Sequence, residues 1–198
     1  MQQEETDAEL SYLKSQINPH FLFNTLNLIY SLTIKKSEQA SEAVVKLANM
    51  MRYVLYESNK NFVPLQNEIS YIKNYIELQQ SRFGDLINVS FNITGNTSSN
   101  KKIAPLILIP FVENAFKHGV NAEENSDIKI HIEITQHELT LGVFNKKVKP
   151  VTMNNNEGGV GIINTKSRLQ LLYAGNYELN IEDDEKDFYV YLKLHLYD

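Results

Sequence analysis

Apolar residues recur at intervals of three and four from the start of the chain. Leu10, Leu13, Ile17, Phe21 and Leu28 mark one stripe of a helix expected over about Asp7 to Ile34, because this spacing stacks side chains on a common face. A second helix is expected to open at Ser37 and Glu38. Its stripe is Ala40, Ala43, Val44, Leu47, Met50, Met51, Val54 and Leu55, with the methionines filling gaps in a core. Two such helices on a short turn form an antiparallel hairpin. A lone hairpin leaves one face of both helices uncovered, so a homodimer closing a four-helix bundle is expected. A third helix follows Pro64, from about Leu65 to Arg82, with Leu65, Ile69, Ile72 and Ile76 on its stripe, structural tyrosines, and Gly84 as its stop.

The period then changes from helical to alternating. Val89, Phe91 and Ile93 alternate with polar residues as a strand does, and GNTSSN reads as a turn. From Ile103 to Gly119 a strand end or loop leads into a helix, with Pro110 near its first turn and Gly119 just past its end. Strands are expected at Ile128 to Ile134, Leu139 to Val143, Tyr177 to Ile181 and Phe188 to Leu196, with a helix from about Gly161 to Tyr173 between the two pairs. The fold class is therefore α+β: a helical hairpin over residues 1 to 60, then an α/β sandwich over 61 to 198 with helices on one face of a mainly antiparallel sheet. The boundary is placed between Ser58 and Pro64.

Composition narrows the function classes. The chain is 42% hydrophobic and 22% charged, which is ordinary for a globular protein, and its net charge of −5 argues against a nucleic-acid surface. The lysines at 35 to 36, 101 to 102 and 146 to 149 read as solvated loops. There is no cysteine, which excludes disulfides and thiolate metal sites. No run approaches the roughly 18 apolar residues of a membrane helix, and the acidic start MQQEETD is unlike a signal peptide.

Within the first helix, the stretch QINPHFLFNTLN from Gln16 to Asn27 departs from its surroundings. Pro19 removes a backbone donor and costs about 3 kcal/mol inside a helix, so a bend is expected there. Phe21, Leu22, Phe23, Leu26, Leu28 and Ile29 make the segment apolar nearly all round, so it is expected to be buried, yet it keeps His20, Asn24 and Asn27. Buried polar groups need partners or a use. Gln16 and Asn24 lie four residues either side of His20, on its own face.

LKSQINPHFLFNTLN closely resembles the phosphoacceptor segment of LytS/YehU-like bacterial sensor histidine kinases, in which the histidine of N-P-H-F-L-F-N is phosphorylated. The resemblance implies that His20 is the phosphoacceptor. Many histidine kinases carry an acid directly after the histidine. Phe21 stands there, so Gln16 or Asn24 is the group expected to orient the ring. An amide at Asn24 could also position water against a phosphorylated partner.

Two stretches of the second half carry chemistry. In FVENAFKHG, Asn114, Lys117 and His118 fall at i, i+3 and i+4 with Glu113 at the edge of the same face. An asparagine oxygen suits Mg²⁺ and a lysine supplies a point charge to phosphate. The string resembles the N box of the GHKL ATPase superfamily (gyrase, Hsp90, MutL and histidine kinases), which implies that Asn114 binds Mg²⁺ and Lys117 approaches the phosphates of ATP. In EGGVGIINTKSRLQLLY, Gly158, Gly159 and Gly161 precede a helix, where free amides favour an anion. The run from Gly159 through Gly161 to Asn164, then Arg168 and Leu169, resembles the G2 box of that superfamily. Residues 146 to 157 would then form a lid over bound nucleotide. The chain departs from the superfamily at the G1 box, D-x-G-x-G. It reads Asn145 in place of the aspartate and lysines in place of the glycines; the amide can still accept a bond from an adenine amino group, without charge assistance.

Together these resemblances imply a two-component histidine kinase core: a transferase using ATP and Mg²⁺ to phosphorylate His20 and pass the group to an aspartate of a response regulator, one of the LytTR type. A cytoplasmic fragment of an inner-membrane-anchored protein is the expected setting. Two other readings use the same residues. One is a dimeric interaction module that has lost nucleotide through its altered G1 box; the other is a GHKL ATPase in which Glu113 activates water, which leaves His20 without a role.

Overall fold

The computed structural model describes residues 19–97, 100–121, 125–148 and 160–197. Helix α1 (Pro19–Ile34) turns at Lys35–Glu38 into α2 (Gln39–Arg52). The stop is a Schellman motif: Ser37 N–H donates to Leu32 O at 2.9 Å and Lys36 N–H to Thr33 O at 3.0 Å, with Lys36 in the left-handed region at φ 52°. The bend expected at Pro19 involves residues 1–18, which lie outside the described residues. After α2 the helix widens into a π turn, Tyr53–Glu57, closed by Ser58 N–H on Tyr53 O at 3.1 Å. Tyr53 and Val54 are thereby buried in succession, while Leu55 and Tyr56 face out.

The expected burial of α1 all round is not what the chain adopts. Phe21, Leu28, Ile29 and Leu32 pack against the core, but Phe23, Leu26, Tyr30 and Ile34 are 66%, 48%, 69% and 66% exposed. His20 and Asn27 are exposed and Asn24 is half-buried. One hairpin has only α2 and the next helix to lean on, so it covers one side of α1.

The short strand β1 (Val63–Pro64) pairs with β3 (Lys102–Ile103), and α3 (Leu65–Phe83) runs between β1 and β2 (Ile87–Gly95). The expected stripe of α3 is buried at Leu65, Ile69, Ile72 and Ile76, together with Tyr71 and Tyr75. Gly84 ends the helix at φ 58°, a conformation that favours glycine. Then come α4 (Ile109–Gly119), β4 (Ser126–Ile134), β5 (Glu138–Lys146), α5 (Val160–Leu172), β6 (Tyr177–Asp183) and β7 (Asp187–His195).

The five-stranded sheet has the order β2-β4-β5-β7-β6. Three of its four pairings are antiparallel and one, β2 with β4, is parallel. Its inner face is set by strict alternation: Ile128, Ile130, Ile132 and Ile134 on β4, Leu139, Leu141 and Val143 on β5, and Phe188, Val190, Leu192 and Leu194 on β7 are all buried. Strand β5 runs three residues beyond its expected end, because Phe144, Asn145 and Lys146 pair with Tyr189, Phe188 and Asp187. The observed architecture is the α+β arrangement expected, helices followed by a helix-covered sheet.

Tyr173, just past α5, is fully buried, and its hydroxyl accepts the Ala104 N–H at 2.8 Å. Tyr173→Phe strands that buried donor and should cost about 1–3 kcal/mol, measured by urea unfolding. The same change at Tyr197, whose half-buried hydroxyl donates to Leu172 O at 3.3 Å, should cost less.

Candidate functional site

On α4 the core side is Phe111, Val112, Ala115, Phe116 and Gly119, all buried. The opposite side presents Glu113, Asn114, Lys117 and His118, half-buried or exposed, as the spacing required. His118 is held below its ordinary pKa of 6.5, first by partial burial and then by the charges of Lys117 and Lys147. It therefore favours the neutral imidazole, a donor and an acceptor at once.

Asn145 lies on β5, beside the end of α4. It takes the next inward slot after Leu139, Leu141 and Val143 and is completely buried. Its Nδ2 donates to Lys146 O at 3.1 Å. Its Oδ1 has no hydrogen-bond partner among the described residues. A buried acceptor left unpaired costs about 1–3 kcal/mol, and bonding to that amide nitrogen leaves the oxygen as the free end. The absence of a side chain at Gly119 allows this approach: a Cβ there would fall 2.7 Å from Asn145 Cβ and 3.0 Å from its Nδ2.

The lysines that replace glycines after Asn145 were expected to be solvated. Lys147 is half-buried and held: its ammonium pairs with Asp183 and donates to the Asp184 carbonyl, while its N–H donates to Lys186 O at 2.6 Å. Val148 N–H in turn donates to His118 O at 3.0 Å. The start of the expected lid is thus tied both to α4 and to the β6–β7 turn, with the lysine side chain directed to that turn. Residues 149–159, including Gly158 and Gly159, lie outside the described residues. Gly161 and Asn164 are exposed on the first turns of α5, and a Cβ on Gly161 would meet nothing within 4 Å.

His20 and Asn24 form a separate pair on α1. Asn24 Nδ2 is 3.1 Å from both ring nitrogens, so its N–H can donate to whichever nitrogen carries the lone pair. Gln16 lies outside the described residues. Next to His20, the Phe21 ring packs on Tyr75 at 4.7 Å, and Tyr75 meets Phe116 of α4 edge-on at 5.6 Å. Two ring contacts therefore join the His20 segment to the buried side of α4.

Glu68 is a group the spacing did not single out. It is 0% exposed and stands on the apolar stripe of α3, three residues after Leu65 and four before Ile72. A carboxylate inside a buried stripe was the signal available. Burial raises its pKa, opposed by hydrogen bonds from Tyr53, Leu106 and Leu108 and by the charge of Arg168.

A model of the histidine kinase family matches residues 8–87. The sensor protein LytS of Oceanobacillus iheyensis is 32% identical over 195 residues, covering 91% of this chain and 33% of LytS. The sensor histidine kinase YpdA of Escherichia coli K12 is 33% identical over 180 residues, covering 84% of this chain and 31% of YpdA. The chain thus spans about a third of the length of these relatives. The catalytic domain of the histidine kinase ThkA shares the fold, with a TM-score of 0.51 at 17% identity over 69% of this chain and 98% of that domain.

The sequence matches and the helix-covered sheet together define a histidine kinase core. The chain belongs to the histidine kinases, in the group of the LytS-like sensor kinases. No helix among the described residues is long and apolar enough to cross a membrane.

Gly119→Ala should drive α4 away from Asn145, lowering stability by about 1–3 kcal/mol. Urea unfolding measures that loss.

Proposed function

We propose that this chain is the catalytic core of a two-component sensor kinase, in which residues 61–198 bind Mg-ATP and residues 1–60 present His20 to it. The observation that carries the reading is the buried Oδ1 of Asn145, which has no hydrogen-bond partner among the described residues. It is an acceptor waiting for a donor, and the exocyclic amino group of adenine supplies one. Asn114, on the open side of α4, would hold Mg²⁺, which neutralises phosphate charge when bound. Lys117 contributes a second positive charge on that side, and His118 a neutral donor. The open space at Gly161 leaves the α5 amides free to approach phosphate, with Asn164 further along the same helix; Gly159, the other glycine of the G2 resemblance, lies outside the described residues.

His20 attacks the γ-phosphorus through an unprotonated ring nitrogen. The N–P bond forms as the bond to the β,γ-bridging oxygen breaks and ADP leaves. With Phe21 packed on Tyr75, the orienting group is Asn24, whose amide can hold one ring nitrogen as an acceptor. The phosphoryl group then passes to a receiver-domain aspartate of a response regulator, of the LytTR type that the family resemblance implies. Phe23, Leu26, Tyr30 and Ile34 form an exposed apolar stripe, continued by Val44 and Val45 on α2. A second copy of the hairpin covers it in a four-helix bundle. In the intact protein this core sits on the cytoplasmic side of the inner membrane, anchored by segments outside this chain. Glu113 is the group available as a base.

Incubating the chain with γ-labelled Mg-ATP should give acid-labile label that His20→Gln lacks; equal labelling of both would refute the role of His20. Asn24→Ala should slow dephosphorylation of a phosphorylated regulator more than autophosphorylation, since an amide one turn from His20 can place water as well as the ring. Equal loss of both rates would show that Asn24 serves the ring alone.

A further inference from the structure

Several contacts among the described residues join the hairpin to α3. Phe21 packs on Tyr75 at 4.7 Å, the Tyr53 ring meets Tyr71 at 5.3 Å, Lys46 pairs with Glu77 at 3.0 Å, Asn67 donates to Glu57 at 2.5 Å, and the Tyr53 hydroxyl donates to Glu68 Oε2 at 2.6 Å. Only the last continues by hydrogen bonds into the segment that starts α4. Glu68 Oε2 also accepts Leu106 N–H at 2.9 Å, and Oε1 accepts Leu108 N–H at 3.3 Å.

The other side of that segment is held by α5 and the residue after it. Arg168 donates to Pro105 O at 2.7 Å, and the Tyr173 hydroxyl accepts Ala104 N–H at 2.8 Å. Leu106 within it is left-handed at φ 54°, a conformation that a leucine keeps only when its surroundings over-determine it. Leu108 is the N-cap of α4 and its own side chain makes no capping hydrogen bond. The Glu68 carboxylate, which takes the Leu108 N–H, therefore helps to fix the start of the helix that carries Asn114 and Lys117. Arg168 lies near enough to bias Glu68 electrostatically and belongs to the helix that follows the lid.

We propose that Glu68 is a positioning residue that links the seat of the phosphoacceptor hairpin, through the Tyr53 hydroxyl, to the geometry of the nucleotide site on α4 and α5. The inference rests on the nucleotide reading above. A hairpin movement that withdraws the Tyr53 hydroxyl leaves a buried carboxylate one donor short, and the remaining donors at Leu106 and Leu108 must readjust with it. By linkage, nucleotide that stabilises α4 and α5 also tightens the Tyr53 turn.

The test is amide hydrogen exchange in the 198-residue chain with and without Mg-ADP, beside calorimetric affinities for Mg-ADP. In the wild type, Mg-ADP should slow exchange at residues 53–58 severalfold. Tyr53→Phe should bind Mg-ADP within about threefold of wild type yet lose that slowing. Glu68→Gln should lose the slowing and bind about tenfold more weakly. If Glu68→Gln does not fold, the Tyr53→Phe arm decides. Slowing that survives in Tyr53→Phe, or wild-type affinity in Glu68→Gln, overturns the proposal. Wild-type binding without any change at 53–58 overturns it while leaving the nucleotide site intact. A wild-type chain that binds no Mg-ADP overturns the nucleotide reading and this inference with it.

Discussion

A single carboxylate, that of Glu68, holds the structure at the point where its parts meet. Burying a carboxyl group is unfavourable unless hydrogen-bond partners surround it, and Glu68 receives three: one hydroxyl from the hairpin and two amides from the segment that opens α4. That segment lies in the core, where its backbone groups need partners as much as the carboxylate does. The need is mutual, so α3, the π turn after α2 and the start of α4 are mutually constrained. Arg168 extends the constraint to α5 through the Pro105 carbonyl.

Around this junction the molecule separates rigid from accessible chemistry. The inner sheet face and the core side of α4 are packed apolar surface, and Asn145 is the polar interruption at the end of the β5 alternation. Its oxygen has no partner among the described residues, its nitrogen is committed to Lys146 O, and Gly119 lets α4 come close. His20 stands on the exposed side of α1, steadied by Asn24, while its neighbour Phe21 faces inward onto Tyr75. The proline-histidine-phenylalanine run thus puts one ring into the interface and the next outside it.

Much of this was legible in residue spacing. The stripe of α3, the isoleucine alternation of β4, the open face of α4 and the glycine stop at Gly84 all follow from which residues fall on one side of a helix or strand. The polar pair His20 and Asn24 was legible too, since i and i+4 are neighbours on any helix. Three features were not. The burial expected for α1 all round does not form, because α1 has only α2 and α3 to pack against and Phe23, Leu26, Tyr30 and Ile34 stay exposed. Lys147 was assigned to solvent because the β6–β7 acids that hold it are some 36 residues away in sequence. The parallel pairing of β2 with β4 leaves no mark on either strand, whose side-chain alternation is the same for both directions.

What the sequence by itself determined is the set of faces: which side of each helix and strand is apolar, where each element stops, and which polar groups interrupt those faces, Glu68 and Asn145 among them. These follow from local geometry, because helical and extended backbones repeat at fixed periods whatever they pack against. Only the tertiary structure decided which interruptions were satisfied. Glu68 finds its amide donors 38 and 40 residues away, whereas Asn145 Oδ1 finds none among the described residues. Partners separated by such stretches meet only once the core has packed, since loop closure can be compensated only by burial of the faces on either side. The same packing makes one buried polar group a structural junction and leaves the other with an acceptor that no described residue meets.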